Sequence, residues 1–420
     1  MKRILRSLVP LLGLSCSAQA QDFSYEQIFD EVVESIDEGY YDPTFGGMDW
    51  PALTERYRPR VLEAASDSVF YVRLNEMLFD LGVSHIGVIP PDHPEWIGAP
   101  AAFADGGVGA DVRVLDGEIV ITFVEPGGAA DRAGLRPGTV VRAIDGMSLR
   151  QIAEAALAPP RPSIDARLIV NEGVQSRLFG RAAGGLLLEI EKPDGARALE
   201  LTREPRAGRT EFMEGIPPVF LEFESRWIDE RVGYIRFNSF HPALLDRVLG
   251  AVDAMQAADG LVFDLRGNPG GDFQMRRSLV EKLVAEPVIF WSYRGRDGTR
   301  EVTVQPDARP YGGRVAVLVD RMSASSSEEF SGGLQAIGRA AVVGERTPGM
   351  VLTAQVEQLQ NGATLVYPFA ETRVADGTVL EGRGVLPDIP VQLDADSLAE
   401  GRDVQLAAAA AYARGDGRGG

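Results

Sequence analysis

The chain is poor in the residues that most often carry chemistry. Of its 420 residues only Cys16 is cysteine, three are histidine (His85, His93 and His241), and the lysines are Lys2, Lys192 and Lys282. One cysteine near the N-terminus excludes disulfides, thiol catalysis and zinc-thiolate sites in the rest of the chain. The formal charge of −19, with no basic cluster, argues against binding nucleic acid or anionic lipid, because phosphate contacts need clustered positive charge. Long apolar runs are missing too, so no segment is expected to span a bilayer. Proteins, peptides or small molecules are the expected partners.

The first residues, MKRILRSLVPLLGLSCSAQAQ, do have a pattern. A basic start, an apolar stretch from Leu8 to Leu14 and the small-x-small triplet Ala18-Gln19-Ala20 read as an export signal at 1–20, cut after Ala20. Such a chain is exported, periplasmic or extracellular. A lipid anchor at Cys16 is the alternative, although Gly13 stands where a lipoprotein signal carries leucine.

Three textures follow. Residues 21–100 have apolar residues at three- and four-residue spacing and read as a helical cap, with Asp49 before Trp50-Pro51 as an N-cap. Residues 104–205 read as short strands broken by Gly-rich and Asp-Gly turns, with a helical insertion at 151–183 of open role. Residues 206–400 alternate strands with helices, the grammar of an α/β layer whose sites form in loops after strands. Residues 401–420 read as a tail, partly disordered.

Two stretches of the third segment hold candidate chemistry. MSASSSEEF, 322–330, ends the strand-like RVAVLVD and opens a helix. A serine there either caps the helix, with Glu328 or Glu329 completing a capping box, or sits where free N–H groups favour a developing oxyanion. FDLRGNPGGD, 263–272, turns through Gly267, Gly270 and Gly271, so its amides can approach a substrate closely. A phosphate loop is the rival reading, but no G-K-[ST] follows.

The segment EPGGAADRAGLRPGTVVRAIDG resembles a PDZ domain of the type found in bacterial proteases. Gly107-Val108-Gly109-Ala110 resembles its carboxylate-binding loop, whose amides capture a peptide C-terminus. The two candidate loops together resemble the C-terminal processing peptidases and tricorn-core-type serine peptidases, over nearly the whole chain. That resemblance implies an α/β core of the crotonase-like ββα type, a helical cap and an inserted PDZ-like domain. It implies Ser325 as nucleophile, with oxyanion amides from the Gly270-Gly271 loop and Ser326. The processing branch takes its base from a T-x-G-K turn, but here the turn is Thr347-Pro348-Gly349-Met350. Methionine cannot take a proton. The tricorn-like branch uses histidine, and Ser84-His85 in LFDLGVSHIGVI resembles its S-H pair, with His93 and His241 as the other candidates. LEGRGVLPDIPV resembles the branch's E-x-x-G-V-x-P-D phrase and implies Glu381 as support for the base.

The expectation is a serine endopeptidase needing no metal or cofactor, its PDZ-like module capturing substrate or gating the site. A non-catalytic ligand- or peptide-binding protein on the same fold, or an esterase, is the rival. Cleavage preference and oligomeric state are not legible.

Overall fold

The computed structural model describes residues 23–91, 104–157, 166–192, 195–206, 208–213 and 216–416. The proposed signal, Cys16 and His93 lie outside them. Three helices, Tyr25–Gly39, Trp50–Leu62 and Asp67–Phe79, form the N-terminal unit. Local chemistry starts each one: Ser24 and Gln27 make a capping box, Asp49 accepts the Ala52 N–H at 3.0 Å with Pro51 in the first turn, and Ser66 caps the third. Their apolar faces bury Phe29, Val32, Ile36, Leu74 and Leu78 against Leu365 and Tyr367 of the Thr364–Val374 strand. That strand is the hub of an antiparallel sheet, pairing with Gly87–Ile89, Val288–Gly295 and Thr353–Gln358. The cap is therefore bonded to this antiparallel sheet through the segment just after His85.

The core sheet runs Phe223–Trp227, Val232–Phe237, Gly260–Asp264, Arg314–Val319, Ala341–Gly344, Ile389–Pro390. Its first pair is antiparallel and the rest parallel, so the central strands are apolar on both faces. Phe263, Val317 and Val342 meet helices Leu245–Ala254, Phe273–Glu281 and Ser326–Ala336 on one side. Val262, Ala316 and Val343 meet the helix Val404–Arg414 on the other. This last helix corrects the reading of 401–420 as a tail. Its alanines let the backbone lie close to the sheet, and a Cβ at Gly260 would come within 2.3 Å of the Ala413 carbonyl.

Between cap and core lies a second α/β unit. Its antiparallel sheet runs Ala110–Leu115, Glu118–Val124, Val140–Ile144, Gly185–Lys192, Gly195–Thr202, with helices Leu149–Leu157 and Ala166–Ser176 against it. The span read as a helical insertion carries most of these two helices. Ala110–Leu115 is an edge strand, and it faces the core: Asp111 pairs with Arg236 at 3.1 Å and Arg113 with Asp320 at 3.1 Å.

Candidate active site

Asp320, directly after a strand buried from Val315 to Val319, shapes the turn that presents Ser325. Its Oδ1 accepts the N–H groups of Met322 and Gly267, each at 2.9 Å, and its Oδ2 accepts Arg113 Nε. One carboxylate thus ties together the serine turn, the glycine loop and the edge strand of the second unit. Ser325 has φ 53° and ψ −118°, a conformation that costs an L-residue about 1–3 kcal/mol. Six non-glycine residues among those described have positive φ, and His85 and Ser325 are two of them, which makes the pair conspicuous.

Glu328, wholly buried, holds this conformation from below. It accepts the Ser325 N–H at 3.1 Å, the Thr347 hydroxyl at 2.6 Å, and the N–H groups of Gly349 and Met350 at 2.7 and 2.8 Å. Burial outweighs these donors and pushes its carboxyl up to about 7. The Ser325 N–H also reaches the Met350 carbonyl at 2.9 Å. The sequence suggests only a capping role for Glu328, whereas its contacts span the serine turn and the 347–350 turn.

The glycine loop packs directly on Ser325. A Cβ at Gly270 would meet Ser325 Cβ, the Ala324 carbonyl oxygen and the Ser326 nitrogen, each at 2.7 Å. The Gly270 N–H is already committed to Asn268 Oδ1 at 2.9 Å, so Gly270 does not offer the free amide that the sequence reading gave it. Among the described residues no acceptor meets the N–H of Gly271 or of Ser326. Asn268 Nδ2 donates to the Phe237 carbonyl at 2.8 Å, which fixes the amide that orients the loop.

His85 follows the Asp67–Phe79 helix and precedes the Gly87–Ile89 strand, which pairs with Thr364–Val374. Asn75, buried on that helix, clamps the segment by bonding both the N–H and the carbonyl of Val88, at 2.7 and 2.9 Å. Ser84 and Glu381 are in direct contact: the carboxylate accepts the Ser84 N–H at 2.8 Å and its hydroxyl at 2.9 Å. Glu381 also accepts the N–H groups of Val351 and Leu352, at 2.8 and 3.3 Å. Since the single hydroxyl proton of Ser84 goes to the carboxylate, its 2.8 Å contact with His85 Nδ1 must be one in which the imidazole donates. The proton therefore sits on Nδ1 and Nε2 keeps a lone pair. Desolvation pulls the ring down to about 4, so it is neutral at rest, while burial raises the Glu381 carboxyl. A polar cleft of about 510 Å³ lies on the outer side of this relay, lined by Ser84, Glu381, Arg346 and Met350.

Ser325, Ser84, His85 and Glu381 are thus linked through the 350–352 backbone. His241 stands apart from that link. It caps a short 3-10 turn, its Nδ1 accepting the Ala243 N–H at 3.2 Å, which puts the proton on Nε2. In this tautomer it has no lone pair free for a base. In the second unit, the Val108 and Gly109 carbonyls accept the N–H groups of Ala130 and Glu125, holding Gly107 to Ala110 as a turn into the edge strand. The outward N–H groups of Val112 and Val114 on that strand are taken at 2.9 Å by Gln175 Oε1 and Asn171 Oδ1 of the Ala166–Ser176 helix. Asn268, Asp320, Asn75 and this amide pair are polar residues that the sequence does not single out.

The profile of Peptidase family S41 matches residues 231–391, that of the Tricorn protease C1 domain residues 22–79, and that of a PDZ domain residues 120–158. The carboxyl-terminal-processing protease of Synechocystis sp. is 26% identical over 381 residues, 89% of this chain and 83% of that one. A putative tricorn protease homolog 2 of Streptomyces coelicolor is 25% identical over 90% of this chain, which spans 31% of that protein. The solved photosystem II D1 C-terminal processing protease shares the fold, with a TM-score of 0.57 at 24% identity, over 90% of this chain and 95% of that one. Taken with the α/β core and the helical cap, these matches support a serine peptidase of the S41, C-terminal processing type that carries a PDZ domain.

Proposed function

We propose that this serine peptidase is an exported endopeptidase that works through Ser325, His85, Ser84 and Glu381. The observation that carries the reading is the Ser84 hydroxyl, seated between His85 Nδ1 and the Glu381 carboxylate. It occupies Nδ1, leaves Nε2 with its lone pair, and gives the imidazolium that forms during reaction a charged partner one hydroxyl away. Ser325 attacks the peptide carbonyl as His85 Nε2 takes its proton. The N–H groups of Gly271 and Ser326 receive the oxyanion, at a helix start where the dipole has the same sign of effect. His85 then returns the proton to the leaving amine, and water, activated by the same ring, releases the acyl group from Ser325. Met350 stands where a lysine base would, which favours the histidine route. The PDZ domain captures a substrate C-terminus or gates the site.

A fluorophosphonate probe tests this. Wild type is expected to be labelled and Ser325→Ala not. An unlabelled wild type would transfer the case to a non-catalytic binding protein. Labelling with cleavage of short esters and untouched casein would transfer it to an esterase. The export reading has its own check: the intact mass of chain recovered from outside the cytoplasm should begin at Gln21. A full-length mass without lipid would sink cleavage after Ala20, and a lipidated N-terminal cysteine would move the cut to Cys16.

A further inference from the structure

Residue 326 does more than offer its N–H. The Ser326 side chain is 1% exposed, and its hydroxyl donates to the Gly271 carbonyl at 2.7 Å while accepting from Arg276 Nη1 at 2.9 Å. Arg276, 4% exposed, stands on the Phe273–Glu281 helix that begins directly after the glycine loop. Its other contacts hold it fast. Nη2 donates to the Tyr293 hydroxyl at 3.0 Å, the guanidinium lies 4.7 Å from the Trp291 ring centroid, and Glu329, 3% exposed, is its ion-pair partner.

The consequence falls on one residue. Gly271 has φ 134°, and a Cβ there would meet the Phe240 carbonyl oxygen at 2.4 Å. The peptide before it is pinned by Phe240 N–H on the Gly270 carbonyl at 2.8 Å. The peptide after it is pinned by Asp272 N–H on the Phe240 carbonyl at 2.6 Å, and from the opposite side by the Ser326 hydroxyl. Glycine is the residue least able to hold its own torsions, so these bonds set where its free N–H points. On the Phe240 side the plane that contains the Gly271 N–H is held by the Phe240 N–H and by the Ser239 hydroxyl, which donates to the Gly270 carbonyl at 3.4 Å, and the plane after it by the Phe240 carbonyl. Among the described residues the serine side of the second plane is fixed by Ser326 alone, and the orientation of that hydroxyl is dictated by Arg276, which can only donate to it.

We infer that Arg276 and Ser326 are positioning residues for peptide hydrolysis, acting as a unit through the Ser326 hydroxyl to aim the Gly271 N–H at the oxyanion. A purely structural role fits less well. A buried ion pair adds little stability over apolar residues of the same volume, yet here one is held with a guanidinium arm against the side chain that joins Ser326 to the carbonyl of Gly271.

The inference rests on the proposed oxyanion hole, and the test separates the two. Ser326→Ala keeps its backbone N–H and loses only the bridge. It should lower kcat roughly 10- to 100-fold with KM little changed, and weaken a peptide aldehyde, which forms an oxyanion on the enzyme, by the same factor. The double variant Arg276→Met/Glu329→Gln, which avoids stranding a buried carboxylate, should show a loss of similar size. Combined with Ser326→Ala it should add nothing further, since one unit is being removed twice. Wild-type kcat and aldehyde affinity in Ser326→Ala would overturn the inference, as would full additivity. If the double variant fails to fold, the Ser326→Ala result alone decides. A wild type that ignores the aldehyde would instead count against the catalytic reading itself.

Discussion

Replacing His85 by alanine is expected to lower kcat by roughly 10,000-fold or more, as losses of a triad base do, and added imidazole should restore part of it. The size follows from geometry. The chain has three histidines, and His85 is joined through Ser84 to the half-buried Glu381 carboxylate, which accepts four donors. The ring is held neutral, at about 4, by desolvation, so it is an acceptor throughout the neutral range. His241→Ala is the control. With its Nδ1 occupied by the Ala243 N–H, His241 presents a proton and not a lone pair, so kcat should stay within about threefold, and any loss should be of the size of a helix cap, about 1 kcal/mol in stability. Equal losses of kcat in both variants, measured on one peptide substrate, would show that the base has been misassigned.

Gly270→Ala is expected to cost roughly 100- to 1,000-fold in kcat, the range seen when one oxyanion donor is lost. A methyl group at 2.7 Å from Ser325 Cβ, the Ser326 nitrogen and the Ala324 carbonyl cannot be absorbed by a flexible side chain, because two of the three atoms are backbone. The loop must retreat from the serine turn, and the Gly271 N–H goes with it. Backbone strain enters too, since Gly270 has φ 100°. Gly377→Ala isolates that part: it has φ 84° and nothing within 4 Å of the new methyl. Melting temperature should fall in both variants and kcat in Gly270→Ala alone. A Gly270→Ala enzyme with near-normal kcat would mean that the loop does not serve the reaction.

Much of this was legible because certain residues announce themselves by type and spacing. Scarcity made His85 traceable, and Met350 stood out because a lysine was missing. Strand runs such as RVAVLVD, alternating with helical ones, declared an α/β layer. Other features have no such signature. Asn268 denies the Gly270 amide to a substrate, but an asparagine in a glycine loop carries no mark of which N–H it will bond. Asp320 looks like a turn residue until Gly267 and Arg113, distant in sequence, close on it. The helix Val404–Arg414 was hidden by its composition, because a run of alanines has no amphipathic period and docks by being small.

The Val112 and Val114 amides are satisfied by Gln175 and Asn171, and this governs what the PDZ edge strand can attract. An unpaired edge is a template for any extended chain, including another copy of the same protein. Here the edge carries its own tethered ligand, always present at high effective concentration and lost only when the Ala166–Ser176 helix swings away. A segment that adds to this strand competes against that tether, and its apparent affinity is scaled by the fraction of molecules with the helix displaced. If that fraction were about 1%, binding would be weakened about 100-fold. If the module captures a substrate C-terminus as proposed, weak, opportunistic strands would be filtered out, and a chain that also engages the Gly107–Ala110 turn would gain the extra affinity needed to hold the helix open.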